Sequence, residues 1–224
     1  DLGSSVIILT TVLFIFVLAG MPVKLTLGIV GIAAAAGFAA IAAKPYRLAR
    51  LMVALDPWKD AYGDGYQATL AIMAFASGGL FGRGIGGSTM KYNYLPEAHN
   101  DYILAIIGEE LGLVGTLLFF AVYIVLVVAG FKIGSRSKDR YGQLIAYGCS
   151  SMLAVQFFVN VMGILSLTPM TGKPIPFISY GGSSIVSAMI LAGLILRVSI
   201  ESNQTTIHDV RRQSLSVVDR DRGG

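Results

Sequence analysis

Leu95-Pro96-Glu97-Ala98-His99-Asn100-Asp101 is a polar, acidic run, and long apolar stretches flank it at Tyr66–Gly82 and Tyr102–Phe131. Ionisable groups at the mouth of a membrane helix lose hydration, so they are rare there unless chemistry needs them. Glu97, His99 and Asp101 are therefore the first functional candidates. Asp101 also suits the N-cap of the helix that follows. The residue three on is Leu104, however, so no capping box supports that role. A cap also leaves Glu97 and His99 unexplained. A partly desolvated carboxylate is a usable general base near neutral pH, and Asn100 can orient it.

The surroundings of this run are those of a membrane protein. Of 224 residues 54% are hydrophobic and only 13% charged, where soluble domains carry about a quarter. Mean hydropathy is +0.70. The single cysteine, Cys149, lies in an apolar stretch, cannot form an internal disulfide, and has no Cys/His metal spacing around it. The start at Asp1, directly in an apolar stretch with no charged n-region, reads as a cut inside a larger protein.

A helix needs about 20 mostly apolar residues to cross a bilayer. Six stretches approach this: Ser4–Gly20, Val23–Ala43, Tyr66–Gly82, Tyr102–Phe131, Gly142–Ser166 and Phe177–Val198. The third is short and glycine-rich near its end. Six spans place thirteen Lys and Arg on one side, among them Lys44, Arg47, Arg50, Lys59, Lys132, Arg136, Lys138, Arg140 and Arg197. Lys24, Arg83, Lys91 and Lys173 fall on the other. Positive residues stay in the cytoplasm, so the Leu95–Asp101 run and the Thr168–Gly182 segment face outward. That assignment does not survive the loss of a whole span. Pro45–Gly65 becomes a cytoplasmic connection, either an amphipathic piece in the headgroup region or an ordinary basic loop. Residues 1–200 form the membrane domain. Residues 201–224 are polar, lack a packable apolar face and are expected to be a disordered cytoplasmic tail. Its Arg211-Arg212 pair reads first as part of a solvated tail and second as a contact with anionic membrane lipid, and is too short for nucleic acid.

The outward segments hold the remaining candidates. Gly78–Ser88 contains six glycines, and such backbone can present N–H groups to a phosphate or simply pack closely. Arg83 and Lys91 lie within and just after it and suit a diphosphate leaving group. Glu109-Glu110 lies inside the fourth span, where it must be paired or wet. In Thr168–Ser184 three prolines exclude a regular helix over the first half. Gly181-Gly182-Ser183-Ser184 then opens the last helix at an anion-favouring end. Gln156 and Asn160 share one face of the fifth span, for helix–helix hydrogen bonding or substrate contact.

Three motifs resemble a known family: Leu95–Asp101, then Ile107-Gly108-Glu109-Glu110-Leu111-Gly112, then Pro176-Phe177-Ile178-Ser179-Tyr180-Gly181-Gly182-Ser183-Ser184. They look like the bacterial SEDS proteins (shape, elongation, division and sporulation), and the Leu-Pro-Glu-Ala-His form is most similar to the division members. Asp1-Leu2-Gly3, Lys44-Pro45-Tyr46-Arg47, Asp56-Pro57-Trp58 and Gly65-Tyr66-Gln67 extend the likeness. The resemblance implies an all-α, polytopic fold of ten helices, of which this chain supplies the last six and is inactive alone. It implies a peptidoglycan glycosyltransferase that polymerises lipid II during cell division by inverting transfer. Asp101 takes the proton of the acceptor hydroxyl. Candidate substrate contacts are Arg83 and Lys91, from their place beside the acidic run, and, within the resembling segments, Glu97, His99, Lys173, Ser179, Gly181, Gly182 and Ser183. No metal ligand is assigned, although a divalent cation such as Mg or Mn would suit the diphosphate. Implied partners are a class B penicillin-binding protein and other divisome proteins at the septum of the inner membrane. The alternatives are a lipid II flippase and a non-catalytic divisome scaffold.

Overall fold

The helix after Asp101 is the axis of the fold, and it is broken. A computed structural model describes residues 2–90 and 100–222, with side chains for 3–90 and 100–203. Seven α-helices follow in order: α1 (Leu2–Leu18), α2 (Val23–Ala42), α3 (Pro45–Leu55), α4 (Tyr66–Gly78), α5 (Ile103–Arg136), α6 (Arg140–Ile164) and α7 (Gly182–Arg222). A 3-10 turn, Pro57–Asp60, joins α3 to α4, and the Asp56 side chain caps it by accepting from Trp58 N. The described residues contain no strand. The all-α expectation holds.

Within α5, Gly112 has φ 68° and ψ −169°, a backbone that side chains resist and glycine allows. An unbroken helix would bond Leu113 N to Glu109 O and Val114 N to Glu110 O. Instead Leu113 N donates to Gly79 O (2.9 Å) and Val114 N to Leu80 O (3.1 Å). The freed carbonyls of Glu109 and Glu110 accept from Arg83 N and Gly84 N, both at 3.0 Å. Two helical bonds are thus exchanged for four bonds to the glycine-rich loop. Irregular backbone at membrane depth is tolerated when protein satisfies it in this way.

This exchange corrects the expected topology. α4 is 13 residues long, about 20 Å, against a hydrocarbon core of about 30 Å. It begins beside Asp101, since Gln67 and Ala68 share a cavity with Asp101 and Tyr102. It ends against Gly108 and Glu109, where the backbones leave no room for a Cβ at Gly78. The Tyr66–Gly82 stretch therefore enters beside α5 and turns back at the break. It is not the third of six spans. By length and apolar character α2, α5, α6 and the Gly182–Asn203 part of α7 can cross a membrane, with Gly3–Leu18 a shorter apolar helix.

Losing that span inverts everything before it. α1 lies antiparallel to α6: Gly3 abuts Thr171, Ile15 meets Gly148, and Arg140 Nη2 donates to Leu18 O at 2.6 Å. α1 thus starts at the Asp101 end and finishes at the Arg140 end. α2 returns, so α3 sits at the Asp101 end, where Arg50 Nη1 donates to Met170 O at 3.3 Å. Lys44, Arg47, Arg50 and Lys59 belong to this end rather than to the opposite one, and Lys24 belongs with Arg140.

α5 and α6 pack most closely. The Tyr123 and Phe157 rings stack at 4.1 Å and Phe120 meets Phe157 edge-on at 5.3 Å. Small residues then bring the backbones together, with Gly130 against Ser150 and Gly134 against Ala146. α2 buries no residue and exposes Ile32 and Phe38, as a lipid-facing helix does. α7 stays helical to Arg222, where composition argued for a disordered tail from residue 201. No glycine or proline interrupts 201–222, so nothing in that stretch breaks a helix once it has started.

Candidate active site

Asp101 lines a cavity of about 230 Å³ at the end of the bundle. Three parts of the chain form its walls. α3 gives Tyr46, Ala49, Arg50, Val53 and Ala54; the start of α4 and the turn before it give Asp64, Gln67 and Ala68; Ser166, Thr168, Met170 and Gly172 come from the loop after α6. The α3 residues recur at i, i+3, i+4, i+7 and i+8, which is one helix stripe. Its apolar residues Leu48, Met52 and Leu55 are exposed and lie on the opposite face.

The amide of Asn160 sets the position of Asp101. This side chain is fully buried, and its Nδ2 donates to Asp101 O at 3.2 Å and to Lys173 O at 2.7 Å. One α6 residue thus ties the start of α5 to the proline-rich loop. Gly172, at φ 65°, passes so close that a Cβ there would lie 3.3 Å from Asp101 Oδ2. Burial pushes the Tyr102 phenol up to about 12; the charge of Asp101 adds to this and Arg50 opposes it. Those signs follow from an anion and a cation near one hydroxyl.

A second polar centre lies deeper. The Glu109 side chain is fully buried and accepts from the whole end of the glycine-rich loop. Thr89 N (3.0 Å), Thr89 Oγ1 (2.9 Å) and Arg83 Nη1 (3.3 Å) donate to Oε1. Ser88 Oγ and Met90 N donate to Oε2. Glu110 receives Ser88 N at 3.4 Å. Arg83 also donates from Nη1 to Thr89 Oγ1 and from Nε to Ser77 O. Its guanidinium therefore holds the loop to α5. The glycine-rich segment is a packed anchor here, and the acidic pair is its receptor.

The other candidates separate. Ser179 is buried and accepts from Ile175 N at 2.8 Å, closing the turn around Pro176 and Phe177. Gly181, Gly182 and Ser183 open α7, with Gly182 and Ser183 exposed. Lys173 is brought beside Asp101 through Asn160. Lys91, Glu97 and His99 lie outside the described residues. No group of three or more His, Cys, Asp or Glu among the described residues is arranged to hold a metal. Sequence reasoning missed Arg50, Asp64 and Gln67 as site residues because it put α3 on the far side. The available signal was the shortness of the Tyr66–Gly78 helix between Gly65 and the glycines at 78 and 79.

Comparisons with known proteins agree with this architecture. Residues 1–204 match the model of a family described as cell cycle protein, that of FtsW, RodA and SpoVE. The chain is 38% identical over 207 residues to a probable peptidoglycan glycosyltransferase FtsW of Halomonas elongata, covering 91% of this chain and 52% of that protein. It is 41% identical over 206 residues to its counterpart in Alcanivorax borkumensis, covering 91% and 54%. Stage V sporulation protein E of Bacillus subtilis is 37% identical over 201 residues, covering 89% and 54%. The chain thus spans about half the length of these curated relatives. Among solved structures, one concerns structural coordination of polymerization and crosslinking by a peptidoglycan synthase complex. It superposes with a TM-score of 0.74 at 26% identity, covering 91% of this chain and 57% of the other. An aspartate-to-alanine mutant of the rod shape determining protein RodA of Thermus thermophilus gives 0.59 at 25% identity, covering 90% and 51%. On the match over residues 1–204 and these relatives, the chain belongs to the FtsW/RodA/SpoVE family of cell cycle proteins, the SEDS family.

Proposed function

We propose that this chain carries the active end of a peptidoglycan glycosyltransferase that polymerises lipid II, with Asp101 as its general base. The observation that carries this reading is a single cavity lined by both Asp101 and Arg50. Inverting transfer needs one base and neutralisation of a diphosphate leaving group. Asp101 accepts the proton of the acceptor hydroxyl as that oxygen attacks the anomeric carbon. The bond to the diphosphate breaks and undecaprenyl diphosphate leaves. Lys173 is tied beside Asp101, and Lys91, Glu97 and His99 lie in the loop that ends at Asp101. Those four remain substrate-contact candidates of the same site. Gly181, Gly182 and Ser183 stay candidates at the start of α7.

With five helices crossing, ten Lys and Arg fall at the Arg140 end, Lys24 and those from Lys132 to Arg140 and from Arg197 on, against seven at the Asp101 end. The excess is smaller than six spans gave, and the positive-inside rule still favours the Asp101 end outward, in the bacterial inner membrane. A family described as cell cycle protein suits a role at the division septum, and a similar structure of a synthase complex that coordinates polymerization and crosslinking suits a class B penicillin-binding protein as partner. A broken helix at membrane depth also occurs in transporters. Here the carboxylate at the break is saturated by its own loop, which favours an anchor over a transport site.

The test is glycan polymerisation from labelled lipid II by the full-length protein with its cognate transpeptidase, wild type against Asp101→Asn. Polymer from wild type alone is expected. Equal polymer from both removes Asp101 from the chemistry. No polymer from either, with folding and partner binding intact, returns the flippase and the scaffold.

A further inference from the structure

Arg50 stands apart from the other cations of this end. It is exposed on α3, yet it lines the Asp101 cavity. Its guanidinium lies 4.7 Å from the centroid of the Tyr46 ring, a cation–π contact that fixes its plane without using its N–H donors. Of five donors, one meets a protein acceptor among the described residues, Met170 O at a long 3.3 Å. No carboxylate among the described residues pairs with it. Arg83 is the opposite case, with its guanidinium committed to Glu109, Thr89 and Ser77.

A second observation points to a ligand. Ser166 and Thr168 line the same cavity, and their hydroxyl oxygens, buried just behind its wall, have no hydrogen-bond partner among the described residues. Buried hydroxyls are nearly always satisfied, so two orphans on one wall suit an acceptor-rich guest. The outer face of α3 is apolar. Arg50 sits midway along α3, whose exposed face presents Leu48, Met52 and Leu55. A polyprenyl chain meets that face while its headgroup reaches the guanidinium across one helix width.

We propose that Arg50 receives the diphosphate of a polyprenyl diphosphate sugar donor, with Ser166 and Thr168 as accessory hydroxyl donors. A planar guanidinium suits two phosphate oxygens at once. Asp64 and Asp101 line the cavity too. They repel an anion placed midway between them, so the diphosphate sits on the α3 side, and its sugar faces Asp101. This assignment rests on the glycosyltransferase reading for its geometry toward Asp101, but diphosphate binding itself can be measured without turnover.

The experiment uses full-length protein in phosphatidylcholine nanodiscs. Binding of undecaprenyl diphosphate, undecaprenol and phosphatidylglycerol is compared for wild type, Arg50→Gln, Arg50→Lys and Asp101→Asn. Arg50→Gln is expected to weaken undecaprenyl diphosphate by about 10- to 100-fold, the effect of losing a charge-assisted pair. Undecaprenol binding stays unchanged, which also reports folding. Arg50→Lys recovers part of the loss because a point charge remains. Asp101→Asn retains diphosphate binding while losing polymerisation. Diphosphate binding equal in Arg50→Gln and wild type overturns the proposal. So does an equal loss for phosphatidylglycerol, which makes Arg50 a general anionic-lipid contact. Arg50-dependent diphosphate binding without polymerisation by wild type upholds the binding site and fails the glycosyltransferase reading alone.

Discussion

Replacing Gly112 by alanine tests whether the break in α5 is built in. At φ 68° an alanine bears a strain of about 1–2 kcal/mol. Its Cβ would stand 2.3 Å from Gly82 N and 2.7 Å from Leu80 O, and both are backbone atoms that cannot swing aside. The relief open to the chain is to straighten α5. It then regains two helical bonds and loses the four that join α5 to the loop. Two bonds net, at about 1 kcal/mol each, gives roughly 2 kcal/mol, with the strain relieved once residue 112 is helical. For a protein of this size that lowers Tm by several degrees. Gly31→Ala is the internal control. It is helical, a Cβ there meets nothing within 4 Å, and alanine favours the helix by about 1 kcal/mol. Thermal unfolding in detergent micelles separates the two. A Gly112→Ala protein as stable as Gly31→Ala refutes the exchange of bonds between α5 and the loop.

Further outcomes follow from the same contacts. Glu109→Gln leaves an amide N–H₂ facing donors from Ser88 and Met90 or from Thr89 and Arg83, and should cost about 2–4 kcal/mol; limited proteolysis within 79–90 should accelerate, and unchanged cleavage counts against the anchor. Asn160→Leu orphans the Asp101 and Lys173 carbonyls at about 1–3 kcal/mol and should lower kcat for polymerisation more than it raises KM, whereas wild-type kinetics would mean that Asn160 does not position Asp101. Gly172→Ala combines positive φ with a Cβ beside the Asp101 carboxylate, so polymerisation should fall about tenfold with expression near normal, and full activity would show room that the close approach excludes.

Composition made the helical class and the bilayer legible, and five of the six apolar stretches became long or nearly long helices in place. The polar run also led straight to Asp101, because ionisable groups are conspicuous against apolar sequence. Topology was harder to read for one physical reason. Tyr66–Gly78 is apolar enough to pass for a span, and only its backbone contacts with Glu109, Glu110, Leu113 and Val114 show that it turns back. Counting it as a span moved α3 to the wrong end and hid Arg50, Asp64 and Gln67. Asn160 was noticed for its spacing with Gln156, but its bridge between Asp101 and Lys173 joins segments far apart in sequence. Glu109 needs a partner by its sequence position, and it finds one in the glycine-rich loop, whose composition suits either a phosphate cradle or the close packing that it makes.

Side-specific labelling tests the shared site most directly. In a Cys149→Ser background, single cysteines at Lys59, Tyr180 and Lys138 are exposed positions and accept a membrane-impermeant maleimide from whichever side they face. Lys59→Cys and Tyr180→Cys should label together from outside intact cells, while Lys138→Cys labels only after lysis. Labelling of Lys59→Cys together with Lys138→Cys instead would return α3 to the far side and dissolve the cavity that unites Arg50 with Asp101.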